Sequence, residues 1–278
     1  MKHNIKKFFN LSITRKNEKL FYLQNGYLIV RKLFSEREMD LLKLYINKYD
    51  VLADTKKSLD NSVLNNEYGG GFSSLKVWNN CNGNDIFSKV AKSYKILERS
   101  AYFYEDDVYC FHNKLTAKFP GIKGFSPHQD YGGYWKNMGI DKPDPHALFL
   151  AIDKSDKNNG CLEIVPKSHL LGNIPHKEMS PDSGIKNKDW DKILSRGYKT
   201  KLIELNKGDG VFFHGNTIHL SGENLSSDSR ISFIVTLNTK RSSPNKKYNF
   251  FAHPEYSFHE RTYKKISEKD LSREMNFK

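Results

Sequence analysis

The chain has 278 residues, 37% of them hydrophobic and 13% aromatic, which is enough to bury a full core and excludes a disordered chain. No apolar run approaches the roughly 18 residues a membrane-spanning helix needs. The formal net charge of +13 is concentrated at the ends: residues 1–20 carry six Lys/Arg against one Glu, and residues 240–278 carry ten against five acids. The middle is nearly neutral and the cations are mostly Lys, whereas base and phosphate readout favours Arg forks, so the charge argues against nucleic acid as a partner.

Residues 1–20 lack the apolar centre and cleavage site of a secretory signal and read as a solvated basic arm. Ser35-Glu36-Arg37-Glu38 forms a capping box, and Leu41, Leu42, Tyr45, Ile46 and Tyr49 recur at helical spacing behind it, which predicts an amphipathic helix over 36–49. A second helix is expected at 84–99, with Phe87, Val90, Ala91, Tyr94 and Leu97 on one face. Gly69-Gly70-Gly71 and Asn79 to Asn84 read as loops. From residue 108 the period becomes two. Residues 108–112, 147–152, 161–165, 201–205, 211–213 and 231–237 read as strands, separated by Pro120-Gly121, Asn158-Asn159-Gly160, Gly208-Asp209-Gly210 and Ser226-Ser227-Asp228 turns.

Short strands in series, with one long insertion near 172–199, predict a mainly β jelly roll (a double-stranded β-helix, cupin-like) behind a helical N-terminal layer. The expected organisation is a basic arm over 1–20, a single domain over 21–245 and a basic extension over 246–278. Within that domain the helical layer spans 21–105 and the jelly-roll core 106–240. Cys81, Cys110 and Cys161 are scattered and never form a CxxC pair. They favour neither a disulfide scaffold nor a structural zinc site, and a reducing, cytoplasmic compartment fits them.

His128-Gln129-Asp130 is the centre of the functional reading. On a strand, residues i and i+2 share a face, so the imidazole and the carboxylate can grip one metal ion. Ten His and 18 Asp give about 0.65 such pairs by chance, so context has to decide. His176-Lys177-Glu178 lies in the long insertion, and His253-Pro254-Glu255 is broken by proline, whereas His128 has a strand-like approach. Downstream, the turn and strand from Gly208 end on His219. Two imidazoles and one carboxylate on one face suit Fe(II) and leave three positions open. Arg230 follows a polar turn; if that turn closes an antiparallel hairpin, Arg230 returns beside His219. Period-two alternation points Arg230, Ser232, Ile234 and Thr236 to the jelly-roll interior, where a guanidinium needs an anion. A salt bridge to Glu223 or Asp228 is the structural alternative.

On these residues the sequence resembles the phytanoyl-CoA hydroxylase family of non-haem Fe(II), 2-oxoglutarate-dependent oxygenases, which includes ectoine hydroxylase. The resemblance covers roughly residues 20–245. It rests on His128-Gln129-Asp130-Tyr131, Asn159-Gly160-Cys161-Leu162, Pro166-Lys167-Ser168-His169, Gly208-Asp209 with Phe212-Phe213-His214, His219-Leu220-Ser221 and Arg230, with Lys118-Phe119-Pro120-Gly121 as a further similarity. It implies that His128, Asp130 and His219 hold iron and that Arg230, Ser221 and Ser232 meet 2-oxoglutarate. Some relatives place an Asn for that co-substrate just before the Pro-Gly. Ala117 stands there, which leaves Asn113 or Lys114 for the contact.

The implied reaction consumes O2, converts 2-oxoglutarate to succinate and CO2, and hydroxylates an unactivated C–H of a small molecule. Related halogenases carry Gly or Ala at the carboxylate position, so Asp130 favours hydroxylation over chlorination. Tyr131, Tyr134 and Trp135 offer either an aromatic substrate wall or plain packing. His146 lies near where relatives place a residue touching 2-oxoglutarate, with surface exposure as the alternative. Two other functions stay open: a jelly-roll protein that binds metal or ligand without turnover, and a zinc hydrolase, which would leave Arg230 unexplained.

Overall fold

The computed structural model describes residues 2–52, 74–78, 85–133, 135–177, 184–242 and 272–273. Helix α1 (Lys2–Asn25) leads into strand β1 (Tyr27–Val30) and helix α2 (Glu36–Lys48). The capping box forms as expected: Ser35 Oγ accepts from Glu38 N at 3.1 Å, and Glu38 Oε2 accepts from Ser35 N at 2.7 Å. After strand β2 (Ser74–Trp78), the helix expected over 84–99 is two helices, α3 (Ile86–Ala91) and α4 (Tyr94–Tyr104). Asp85 caps α3 through the amides of Phe87 and Ser88. Ser93 adopts an extended backbone between the two, so the apolar periodicity continues while the helix does not.

The β region comprises β3 (Val108–Lys118), β4 (His146–Ala151), β5 (Leu162–Ile164), β6 (Lys201–Ile203), β7 (Gly210–His214), β8 (His219–Ser221) and β9 (Arg230–Thr239). Two short helices interrupt it, α5 (Asp130–Gly133) and α6 (Asn187–Ser195), the latter in the insertion where no helix was expected. A six-stranded sheet runs β1-β7-β4-β9-β3-β2, and a three-stranded sheet runs β6-β5-β8. The two sheets make a double-stranded β-helix.

Alternation along each strand separates two cores. Leu148, Leu150, Phe212, Phe233, Val235 and Leu237 face the helical layer and join Met39, Leu42, Ile46, Ile96 and Phe103. Ala147, Phe149, Ala151, Val211 and Phe213 face the smaller sheet and meet Leu162, Ile164 and Ile203. The inner end of β9 keeps its polar side chains between the sheets, and this places the functional residues.

The end of the expected arm touches the domain through Arg15, which pairs with Glu98 at 2.8 Å, while Lys16, Asn17 and Leu20 are exposed. Just beyond the arm Tyr22 is buried, with its ring stacked on Phe103 at 4.5 Å. Residues 243–271, which carry most of the expected basic extension, lie outside the described residues, as do both loops expected at 69–71 and 79–84. Cys110 is disulfide-bonded, although the scattered cysteines argued against a disulfide scaffold and for a reducing compartment, and Cys161 is a free buried thiol. No helix among the described residues is long and apolar enough to cross a membrane.

Candidate metal centre and anion pocket

His128 and His219 are backbone partners. Each amide donates to the other's carbonyl, at 3.0 and 2.9 Å, in an isolated antiparallel bridge that extends the edge of the small sheet. The two rings lie 4.0 Å apart by centroid. Each Nδ1 donates to a carbonyl two residues back, Ser126 O at 2.8 Å and Thr217 O at 3.0 Å. Those bonds fix one tautomer and leave both Nε2 lone pairs for an ion.

Asp130 completes the set, but not as a strand residue. It opens α5, so the carboxylate swings in on a helical turn. Its Oδ1 lies 3.9 Å from His219 Nε2, and one ligand atom from each of the three residues falls within 4.8 Å of the others. Burial, then the neighbouring His219 ring, lowers the His128 pKa to about 4, so the imidazole is a neutral ligand at physiological pH. Among the described residues no other His, Cys, Asp or Glu joins this set. His176 is close, but its Nε2 accepts from Gln129 N at 2.9 Å and its Nδ1 donates to Ile174 O at 2.7 Å, so both nitrogens are committed. Two imidazoles and one carboxylate, with no fourth protein ligand among the described residues, fit an Fe(II) ion with open positions.

The anion pocket is reached by a different route from the one the sequence suggested. His219 does not end the strand that begins at Gly210; a turn intervenes and His219 starts β8 in the small sheet. The segment from His219 to Arg230 is therefore no hairpin, because β8 pairs with β5 while β9 pairs with β3 and β4. The 222–229 loop carries the chain from one sheet to the other, so Arg230 faces the site from the opposite wall. It is 5% exposed, and its protein hydrogen bonds run through Nη1 alone, to Gly160 O at 2.5 Å and Ser155 Oγ at 3.4 Å. Nε is buried without a partner. No salt bridge to Glu223 or Asp228 forms, so the structural alternative for Arg230 is not realised among the described residues. Burial lowers its pKa to about 10, which leaves it charged.

Sequence reasoning missed the neighbour of this guanidinium. Lys118 is the cross-strand partner of Arg230 and is fully buried. Its Nζ donates to Ser221 Oγ at 3.0 Å, Gly222 O at 2.5 Å and Gly160 O at 3.3 Å. The signal was present in the polar alternation Lys114, Thr116, Lys118, but the strand was expected to end at His112. Ser221 shares a strand face with His219 two residues earlier, so the Ser221–Lys118–Arg230 group adjoins the imidazoles. Gly160 brings the loops together: its φ is +69°, and a Cβ there would meet Gly222 O at 2.5 Å.

The remaining expected residues divide by face. Ser232 points inward with its Oγ 2.8 Å from Thr116 Oγ1, and Lys114 is the inward partner of Ile234. Asn113 pairs with Val235 and shares its face toward the helical layer, away from the pocket. His146 also faces that layer, stacked 4.4 Å from Tyr104, fully buried rather than exposed, and across the sheet from the imidazole pair. Tyr131 and Trp135 are buried in a cluster with Tyr109, Phe111 and Ile140, and Tyr131 Oη donates to Ile140 O at 2.9 Å, so both pack as core. Tyr134 lies outside the described residues.

Comparison with known proteins agrees with this architecture. Solved structures of similar fold include the S. alaskensis protein EctD with 2-oxoglutarate and 5-hydroxyectoine, at TM-score 0.65 and 16% identity over 82% of this chain and 77% of that one. The non-haem α-ketoglutarate-dependent epimerase SnoN aligns at TM-score 0.61 and 17% identity, over 82% of this chain and 84% of that one. Among curated sequences, an ectoine dioxygenase of Streptomyces coelicolor is 23% identical over 56% of this chain and 56% of its own length. The Arabidopsis thaliana phytanoyl-CoA dioxygenase is 36% identical over 42% of this chain and 40% of its own. The chain thus spans about half the length of these curated relatives. The sequence profile of phytanoyl-CoA dioxygenases (PhyH) matches residues 22–232, a span that runs from the buried Tyr22 to Ser232 and takes in both walls of the pocket, and the chain belongs to that family.

Proposed function

We propose that the protein is an Fe(II)- and 2-oxoglutarate-dependent dioxygenase that hydroxylates an unactivated C–H of a small-molecule metabolite, releasing succinate and CO2. The observation that carries this reading is a three-residue ligand set beside a buried guanidinium that makes no salt bridge to a carboxylate among the described residues. A zinc hydrolase has no use for Arg230 in that position.

Each residue has a definite task. His128 Nε2, His219 Nε2 and an Asp130 carboxylate oxygen would hold the metal, and the Ser126 and Thr217 carbonyls keep both imidazoles aimed at it. Iron, when bound, supplies the O2-dependent oxidation that couples decarboxylation of 2-oxoglutarate to C–H hydroxylation. Arg230 receives the far carboxylate through its unpaired Nε edge, and Ser221 offers a hydroxyl to the same end. Ser232, tied to Thr116, and Lys114 line the wall between them. The flanking Phe149 ring, 5.4 Å from the guanidinium, dries the pocket and strengthens that pairing.

Anaerobic titration tests the reading. Fe(II) and 2-oxoglutarate together should give a weak visible charge-transfer band that Asp130→Ala abolishes. Arg230→Ala should keep the fold but weaken 2-oxoglutarate binding by about 30-fold or more, the equivalent of about 2 kcal/mol for a truncated charge pair. A colourless wild-type mixture overturns the proposal.

A further inference from the structure

Two cations lie side by side between the sheets. Lys118 and Arg230 are register partners on β3 and β9, both buried, and both donate to the Gly160 carbonyl. Asp153, whose charge acts on Arg230, is committed to other donors: it accepts from Lys43 Nζ at 2.6 Å and from the Ile231 amide at 2.9 Å. Burial, then repulsion from Arg230, lowers the Lys118 pKa to about 7, as expected for an ammonium beside a like charge.

The hydrogen bonds of Ser221 give Lys118 a specific role. Ser221 Oγ accepts from Lys118 Nζ at 3.0 Å and from the Phe125 amide at 3.1 Å. A hydroxyl has two acceptor lone pairs and one proton. With both lone pairs taken, the Ser221 proton must be donated outward. The close approach of the Phe125 segment is built in, because a Cβ on Gly124 would lie 1.4 Å from Ser221 O.

We infer that Lys118 is a positioning residue for the anionic co-substrate: it fills the second lone pair of Ser221 and commits that hydroxyl to donate beside Arg230. This rests on the proposed 2-oxoglutarate reading and deepens it. The pocket then selects a dicarboxylate over a monocarboxylic 2-oxo acid through three residues rather than through the guanidinium alone.

The test is calorimetric titration of the Mn(II)-loaded protein with 2-oxoglutarate and with 2-oxobutyrate, which keeps the keto acid end and lacks the far carboxylate. Lys118→Met should weaken 2-oxoglutarate about tenfold and leave 2-oxobutyrate within about twofold, the scale of one hydrogen bond to a charged group. Ser221→Ala should do the same. The double variant should lose less than the product of the two single losses, because the residues act as one unit. Should Lys118→Met fail to fold, Ser221→Ala alone carries the test, and unchanged 2-oxoglutarate affinity there overturns the inference. Equal weakening of both acids by Lys118→Met also overturns it, since that is general structural damage. If Lys118→Met binds 2-oxoglutarate normally while Arg230→Ala does not, the inference fails and the co-substrate reading stands. If Arg230→Ala binds normally as well, the co-substrate reading fails with it.

Discussion

The main sheet has a histidine group behind it as well as one in front. His146, His169 and His214 gather around Tyr104 on the helical side, with Tyr104 stacked 4.4 Å from His146 and His169 5.5 Å from His214. His128 and His219 gather on the inner side. Basicity does not separate the groups: burial lowers His146 to about 4 and His214 to about 3, much as it lowers His128 to about 4. Direction separates them. The rear nitrogens diverge, His146 Nδ1 to Asp144 O, His169 Nε2 to Leu23 O, and His214 Nδ1 accepting from Asn216 N. In front, two lone pairs and a carboxylate converge. Buried, neutral histidines are thus no mark of a metal site until their free lone pairs share a point.

The largest contrast should come from Asp130→Ala against His146→Leu. Losing a ligand should reduce Fe(II) affinity by more than about 100-fold, beyond the usual effect of an outer hydrogen-bonding partner. His146→Leu should leave Fe(II) affinity unchanged in equilibrium dialysis, and a comparable loss there would erase the distinction between the two groups. The next effect is acid lability. His146 and His214 have folded pKa values below the ordinary 6.5, so the unfolded chain binds more protons as pH falls. Their stabilisation is complete above about pH 6.5 and is lost as pH drops toward 4. Each such group adds up to about 1.4 kcal/mol per pH unit near pH 5, measurable by denaturant melts of metal-free protein, and His146→Leu should reduce the slope by one group's share. The smallest effect is at the arm: Arg15→Ala removes partly buried pairs to Glu98 and Glu18 and should lower stability by about 1 kcal/mol, with metal affinity untouched.

The fold was legible where alternation was strong. The inward set Arg230, Ser232, Ile234 and Thr236 and the outward set from Ile231 to Leu237 read directly from the chain. What failed was connectivity. Nothing local in Ser221 to Ser229 shows whether that turn closes a hairpin or crosses between sheets, because both need the same polar residues; the answer lies in which distant strand takes the hydrogen bonds. Lys118 was hidden for a related reason, since a buried lysine makes sense only once Arg230 and Ser221 are known to lie against it. Asn113 and Lys114 show the precision that register demands: adjacent residues, opposite faces. The break at Ser93 was equally invisible, since the apolar spacing runs through it.

The paired amides of His128 and His219 have a consequence for handling the protein. Two of the three ligands are clamped by their own main chain, so chelation should strip the ion and leave the coordination geometry standing. An EDTA-treated sample should keep its near-ultraviolet circular dichroism and regain metal at once on addition, with no lag for refolding. The centre should behave as a rigid socket from which one ion can be exchanged for another.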